Sequence, residues 1–128
     1  MREAGAVVAK DGSIIYWHVP DNRSGGALPD SQQLWQVLWE NRKRLRGFAH
    51  SHPGGGIPGP SHEDLTTFAA IEAGLGVRLQ WWIANADRVV ELQWIGPDRL
   101  AYGQILLGPD DPDWAAELRR RSEIPVAT

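Results

Sequence analysis

The spacing of apolar positions changes several times along the chain, and each change marks an element. Residues 4–10 form a nearly continuous small and branched apolar run that reads as a first strand. Asp11-Gly12 supplies a tight hairpin turn, and a second strand is expected over about 13–19. A loop from Pro20 to Pro29 follows. Asp30 or Ser31 then caps a helix predicted through about Arg44, with Leu34, Val37, Leu38 and Leu45 as its apolar stripe and Glu40 to Arg44 as an i,i+4 ion pair. Leu45-Arg46-Gly47-Phe48-Ala49 returns to strand character. From Ser61 helical spacing resumes through Leu65, Phe68, Ala69 and Ile71 or Glu72, until Gly74 and Gly76 stop it. Strands are expected over 77–84, 88–95 and about 99–106, the first two joined by Asn85-Ala86-Asp87. A short helix over about 112–121 closes the chain, acidic at its start and basic at its end, as the helix dipole favours. This order predicts an α/β (α+β) fold, a mixed and largely antiparallel β-sheet with helices packed on it, as one domain over 1–128.

Composition narrows the class. At 128 residues and 42% hydrophobic, the chain is long enough to bury about two-thirds of its unfolded surface in one core. It has no cysteine, so neither a disulfide framework nor a Cys-based zinc site is available. No signal peptide, membrane-length apolar run or lipidation motif is evident, which leads to the expectation of a cytoplasmic protein without a membrane partner. A net charge of only −3 argues against nucleic-acid binding. The local basic cluster 41–46 reads instead as the cationic last turn of the preceding helix.

The candidate chemistry is concentrated in His50-Ser51-His52-Pro53 and, after a glycine-rich turn, Pro60-Ser61-His62-Glu63-Asp64. Positions i and i+2 of a strand project from one face, so His50 and His52 can share a ligand. Asp64, in the first turn of the following helix, can swing back toward the strand end. Two imidazoles and one carboxylate leave one tetrahedral position open, the pattern of a catalytic rather than a structural zinc site. Such a donor set favours Zn2+, with iron and manganese as alternatives. Ser61-x-x-Asp64 is also a capping pattern, and both roles can coexist.

These residues resemble the JAMM (MPN-plus) metalloproteases, whose signature is a distant Glu, an HxH, and a Ser-x-x-Asp shortly after. Here the match is Glu3, His50-Ser51-His52-Pro53 and Ser61-His62-Glu63-Asp64, over a span from Glu3 to about Gln93. One departure is visible: eight residues separate His52 from Ser61 where the usual pattern has seven. The resemblance implies a cytidine-deaminase-like MPN/JAMM architecture, with His50, His52 and Asp64 on the zinc ion. It further implies Glu3 as general base and proton carrier, and Ser61 as oxyanion donor. The alternative for Glu3 is an ordinary solvated terminal charge. Glu63 is a fallback base, but it lies about 100° around the helix from Asp64 and should point away from the metal.

By the same resemblance the reaction is hydrolysis of a peptide or isopeptide bond. Long insertions are lacking, because the Ser61 helix passes through Gly74-Leu75-Gly76 directly into the next strand, so the chain is similar to the compact prokaryotic members. Their substrates include ubiquitin-like modifiers, sulfur-carrier proteins with a C-terminal adduct, and ordinary peptides. An extended tail could add to a sheet edge and feed Gly-Gly into the site. Two other readings stand beside this one: a metal hydrolase of another class, and a non-catalytic MPN-type scaffold or protein-binding module. Of the other histidines, His18 reads as a surface or rim residue and His62 as solvated and neutral. Most of the seven tryptophans read as core. Trp81 and Trp82 are adjacent on one strand and point to opposite faces, so at least one is a candidate for an exposed indole patch, suited to a homodimer or another protein interface.

Overall fold

The computed structural model describes residues 1–125. Six strands form one sheet in the order β2-β1-β3-β4-β5-β6: β1 (Gly5–Ala9), β2 (Ile14–His18), β3 (Leu45–Ser51), β4 (Gln80–Ala84), β5 (Val89–Trp94) and β6 (Tyr102–Leu106). Every neighbouring pair is antiparallel except β3 and β4, which run parallel and are joined by a helix. The three helices are α1 (Gln32–Glu40), α2 (His62–Leu75) and α3 (Ala115–Arg121). The mixed, mostly antiparallel sheet with packed helices is therefore as expected; β3 starts at Leu45 as its pattern suggested, and the other five strands start one to three residues later than theirs.

Strand alternation divides the interior in two. On one face Val7, Trp81, Ile83, Val90 and Leu92 pack with Leu34 and Leu38 of α1 and Phe68 and Leu75 of α2. On the other, Ala6, Val8, Ala49, Trp82, Ala84 and Val89 pack with Trp114, Ala115 and Leu118 around α3. Strands covered on both faces read as unbroken apolar runs, which is why β1 and β4 look continuous rather than alternating. The same fact corrects the expectation for the tryptophans. Trp81 and Trp82 do face opposite ways, but both are buried, one in each core. The exposed indoles are instead Trp35 and Trp39, both on α1.

Close approach of β3 to β4 depends on Gly47, where a Cβ would lie 1.7 Å from the Gln80 carbonyl oxygen. α2 ends on Gly76 at φ 72°, a left-handed cap that favours glycine.

Two local expectations fail for identifiable reasons. α1 stops at Glu40, not Arg44, because Asn41 takes over the last carbonyls: its backbone and side-chain amides both donate to Val37 O. Arg42 donates to Trp39 O at 2.7 Å and lies over the Trp39 ring. The basic cluster is thus a turn that closes the helix from outside. Glu40 accepts from Gln36 and Arg44 donates to Asn41, so the predicted Glu40–Arg44 pair does not form. The second failure is His18, which is 1% exposed rather than at the surface. Among the described residues, no helix is long and apolar enough to cross a membrane.

Candidate metal centre

β3 delivers the two histidines. His50 is on the strand and His52 lies just beyond its end, both on the face covered by α2. Their Nε2 atoms are 2.9 Å apart. Asp64 in the first turn of α2 reaches them from the opposite side, with Oδ1 3.5 Å from His50 Nε2 and Oδ2 3.2 Å from His52 Nε2. Ser61 caps α2 through a complete capping box: its Oγ accepts from the Asp64 amide at 3.0 Å, while Asp64 Oδ2 accepts from the Ser61 amide at 2.9 Å. The cap therefore aims the Asp64 carboxylate, and the two readings of Ser-x-x-Asp describe one structure.

Glu3 arrives by sheet register. β1 pairs Gly5 with His50, and continuing that antiparallel register two residues outward sets Glu3 beside His52. Glu3, His50 and His52 each offer a ligand atom, all lying within 4.8 Å of one another. Glu3 is 7% exposed, which rules out a solvated terminal charge. The segment is held by Glu3 N–H to Ser24 O at 2.8 Å, and by the Arg23 guanidinium donating to the Glu3 carbonyl at 3.3 Å.

Charge and burial set the protonation of this cluster. Burial pushes the Glu3 carboxyl up to about 7, against a smaller opposing pull from His52. Burial likewise holds His50 below its ordinary value despite the nearby Asp64. His52 is also penalised by burial, but Asp64 and then Glu3 outweigh that and raise it. For Asp64, burial acts upward, yet hydrogen bonds from His50 and His52, with the Ser61 amide, hold the carboxyl far below the usual range. One anion, two imidazoles and a carboxyl poised near neutrality thus converge.

The donor set fits a metal ion. A tetrahedral zinc with bonds of about 2.0–2.1 Å holds its ligand atoms about 3.3 Å apart. The two imidazole nitrogens are 2.9 Å apart, and each lies near a different Asp64 oxygen, at 3.5 Å for His50 and 3.2 Å for His52, all close to that spacing. Glu3, His50 and His52 could equally hold a cation, so four side chains are available for it.

Several supporting residues are not evident from the motif. Ser51, between the two histidines, points to the opposite face and is fully buried. Its Oγ accepts from Ala4 N–H at 2.9 Å and is hydrogen-bonded to the Ser122 hydroxyl at 2.7 Å, so it fastens the residue next to Glu3. The glycine-rich turn is tethered rather than loose: Asp87 accepts from Gly56 N–H at 2.6 Å and Asn85 donates to Gly56 O at 3.2 Å. That anchorage holds the loop carrying the extra residue. His18, with its pKa lowered by burial, bonds the Pro29 carbonyl through Nε2 at 2.6 Å. Glu63 and His62 are exposed, and Glu63 stands on the wall of the cavity beside the cluster.

That cavity, of about 440 Å³, is bounded by the cluster, by the 26–30 loop and by α2. Comparison with known protein families and with curated proteins gives no match in either case.

Proposed function

We propose that this chain is a zinc-dependent hydrolase of amide bonds, of the JAMM (MPN-plus) type with a cytidine-deaminase-like architecture. The observation that carries this reading is the convergence of Glu3, His50, His52 and Asp64 from three separate parts of the chain, with Glu3 and the two histidines within 4.8 Å of one another and Asp64 3.2–3.5 Å from the two imidazoles. His50, His52 and Asp64 would hold the ion. When bound, zinc supplies a Lewis acid that polarises a carbonyl and lowers the pKa of water.

The remaining chemistry belongs to the chain's own groups. Glu3, with a pKa raised to about 7 by burial, can accept a proton near neutrality and return it to a departing amine. Ser61 spends an oxygen lone pair on the Asp64 amide, which leaves its own O–H free to donate. Its place on the cavity wall suits that proton to an oxyanion. Candidate substrates are peptides and the C-terminal tails of ubiquitin-like or sulfur-carrier proteins.

A second reading is a non-catalytic MPN-type scaffold, favoured by the complete capping box, which gives Ser61 and Asp64 a structural purpose without any metal. Elemental analysis of protein purified without chelators, and zinc titration of the stripped chain beside His52→Ala, separate the two. The hydrolase reading expects one tight equivalent of zinc that His52→Ala loses. Absence of tight binding in the parent protein overturns it in favour of the scaffold.

A further inference from the structure

The cavity is much larger than the metal cluster needs. Besides the His50/His52 cluster it is lined by half-buried Phe48, Ile71, Leu28 and Pro29, backed by the buried rings of Phe68 and Trp81. Its floor is rigid. Phe68 stacks on Trp81 with centroids 4.2 Å apart, Phe68 meets His50 edge-on at 6.2 Å, and the Trp81 indole N–H is anchored on buried Glu72 at 3.0 Å. The far wall is fixed too, since His18 holds the Pro29 carbonyl. A preformed apolar recess with polar groups gathered at one end is the form of a side-chain subsite.

We propose that this recess receives one bulky apolar side chain, aromatic or branched aliphatic, from a substrate residue adjoining the amide presented to the Glu3/His50/His52/Asp64 cluster. The proposal rests on the hydrolase reading for the word substrate, while the recess itself does not. Continuity fixes the occupant: the apolar wall and the His50/His52 cluster share one cavity, so a substrate that places a carbonyl at the cluster brings its neighbouring side chain against Phe48, Ile71 and Leu28. Glycine on both sides of the bond would leave that surface uncovered. Among the described residues the wall carries Asp30 and Glu63 but no Lys or Arg, so an acidic side chain is disfavoured there.

The test has a binding arm and a cleavage arm. In the binding arm, N-acetyl-phenylalaninamide, N-acetyl-leucinamide and N-acetyl-glycinamide are titrated into the metal-free chain and followed by NMR. Burial of one large apolar side chain predicts that the phenylalanine and leucine amides bind about 10- to 150-fold more tightly than the glycine amide. Thr67→Trp, at an exposed α2 position on the cavity wall, should collapse that ratio without touching the core. In the cleavage arm, the zinc-loaded chain is offered peptides in which each residue flanking one amide is varied among Phe, Leu, Gly and Glu. A Phe or Leu preference on one side, again collapsed by Thr67→Trp, is the expected result. Selective binding without any cleavage supports the recess and removes the hydrolase reading. Zinc-dependent cleavage with equal rates for Gly and Phe, or equal binding of all three amides, overturns the recess.

Discussion

Replacing Glu3 by Gln in the metal-stripped protein isolates the electrostatic cost of the site. The Glu3 carboxyl titrates at about 7 in the fold against an ordinary 4.5. A raised folded pKa means that the fold holds this proton more tightly than the unfolded chain does. The corresponding stability is therefore fully present below 4.5 and is lost as pH rises through about 7. At about 1.4 kcal/mol per unit, the stability difference between wild type and Glu3→Gln should change by about 2–3 kcal/mol from pH 5 to pH 8, because glutamine stays neutral throughout. Asp64 stays ionised in both proteins over this range and His52 titrates in both, so they largely cancel in this difference. Urea unfolding at the two pH values reads it directly. With a denaturant dependence of about 1–3 kcal/mol per molar, the wild-type midpoint should fall by roughly 1–2 M relative to the variant. A pH-independent difference between the two proteins would refute the buried, near-neutral carboxyl, and with it the proton-carrying role proposed for Glu3.

Other consequences follow from the same geometry. Ser61→Ala should cost about 1 kcal/mol of stability as a lost cap. It should also lower kcat by about 100-fold while keeping the metal, if its free O–H serves an oxyanion; a stability loss alone assigns it to the cap. Zinc binding to the stripped protein should release more protons at pH 6 than at pH 8, because Asp64 raises the pKa of His52 and that proton must leave before the imidazole can ligate. Calorimetry in buffers of different ionisation enthalpy measures the release. Ser51→Ala removes a buried acceptor of the Ala4 N–H, so it should cost about 1–3 kcal/mol. Hydrogen exchange at Ala4 should quicken at the same time.

The legible part of the site was the part encoded locally. His50 and His52 are two apart on a strand, and Asp64 is three beyond its own cap, so each relation is set by backbone geometry over a few residues. Glu3 could be matched only by its resemblance to a motif, because its neighbour is chosen by the register of β1 on β3, whose adjoining Ala4–Ser51 contact spans 47 residues of chain. The buried state of His18 was hidden for a related reason. Alternation in β2 assigns it a face but does not reveal that the 26–30 loop folds over that face. Trp81 and Trp82 misled because alternation was read as one dry and one wet face, whereas α3 covers the second. Glu72 is the sharpest case. The helical spacing offers it as an alternative to Ile71 at the end of the stripe but gives no partner for its carboxylate, which is buried and accepts from Leu79 N–H, the Trp81 indole and the Tyr102 hydroxyl. All three donors lie on later segments, so nothing near Glu72 in the chain discloses them.

The tripeptide His50-Ser51-His52 shows why site and fold are difficult to separate in this protein. Period-two alternation sends both imidazoles to the cavity and the serine to the α3 side, where it meets the Ala4 amide and Ser122. Ser122 in turn donates to Leu118 O, so the last turn of α3 is joined through Ser51 to the segment carrying Glu3. On the neighbouring strand, Asn85 at the end of β4 both orders its own turn and reaches Gly56 in the loop leading to Ser61 and Asp64. Arg119 of α3 donates to the Asn85 carbonyl at 2.8 Å. α3 contributes no residue to the cavity wall, yet it touches both of the supports that aim Glu3 and Asp64 at the histidines. Substitutions on α3 that leave the fold intact should therefore act on the candidate metal site through the positions of Glu3 and of the glycine-rich loop, not through the strand that carries His50 and His52.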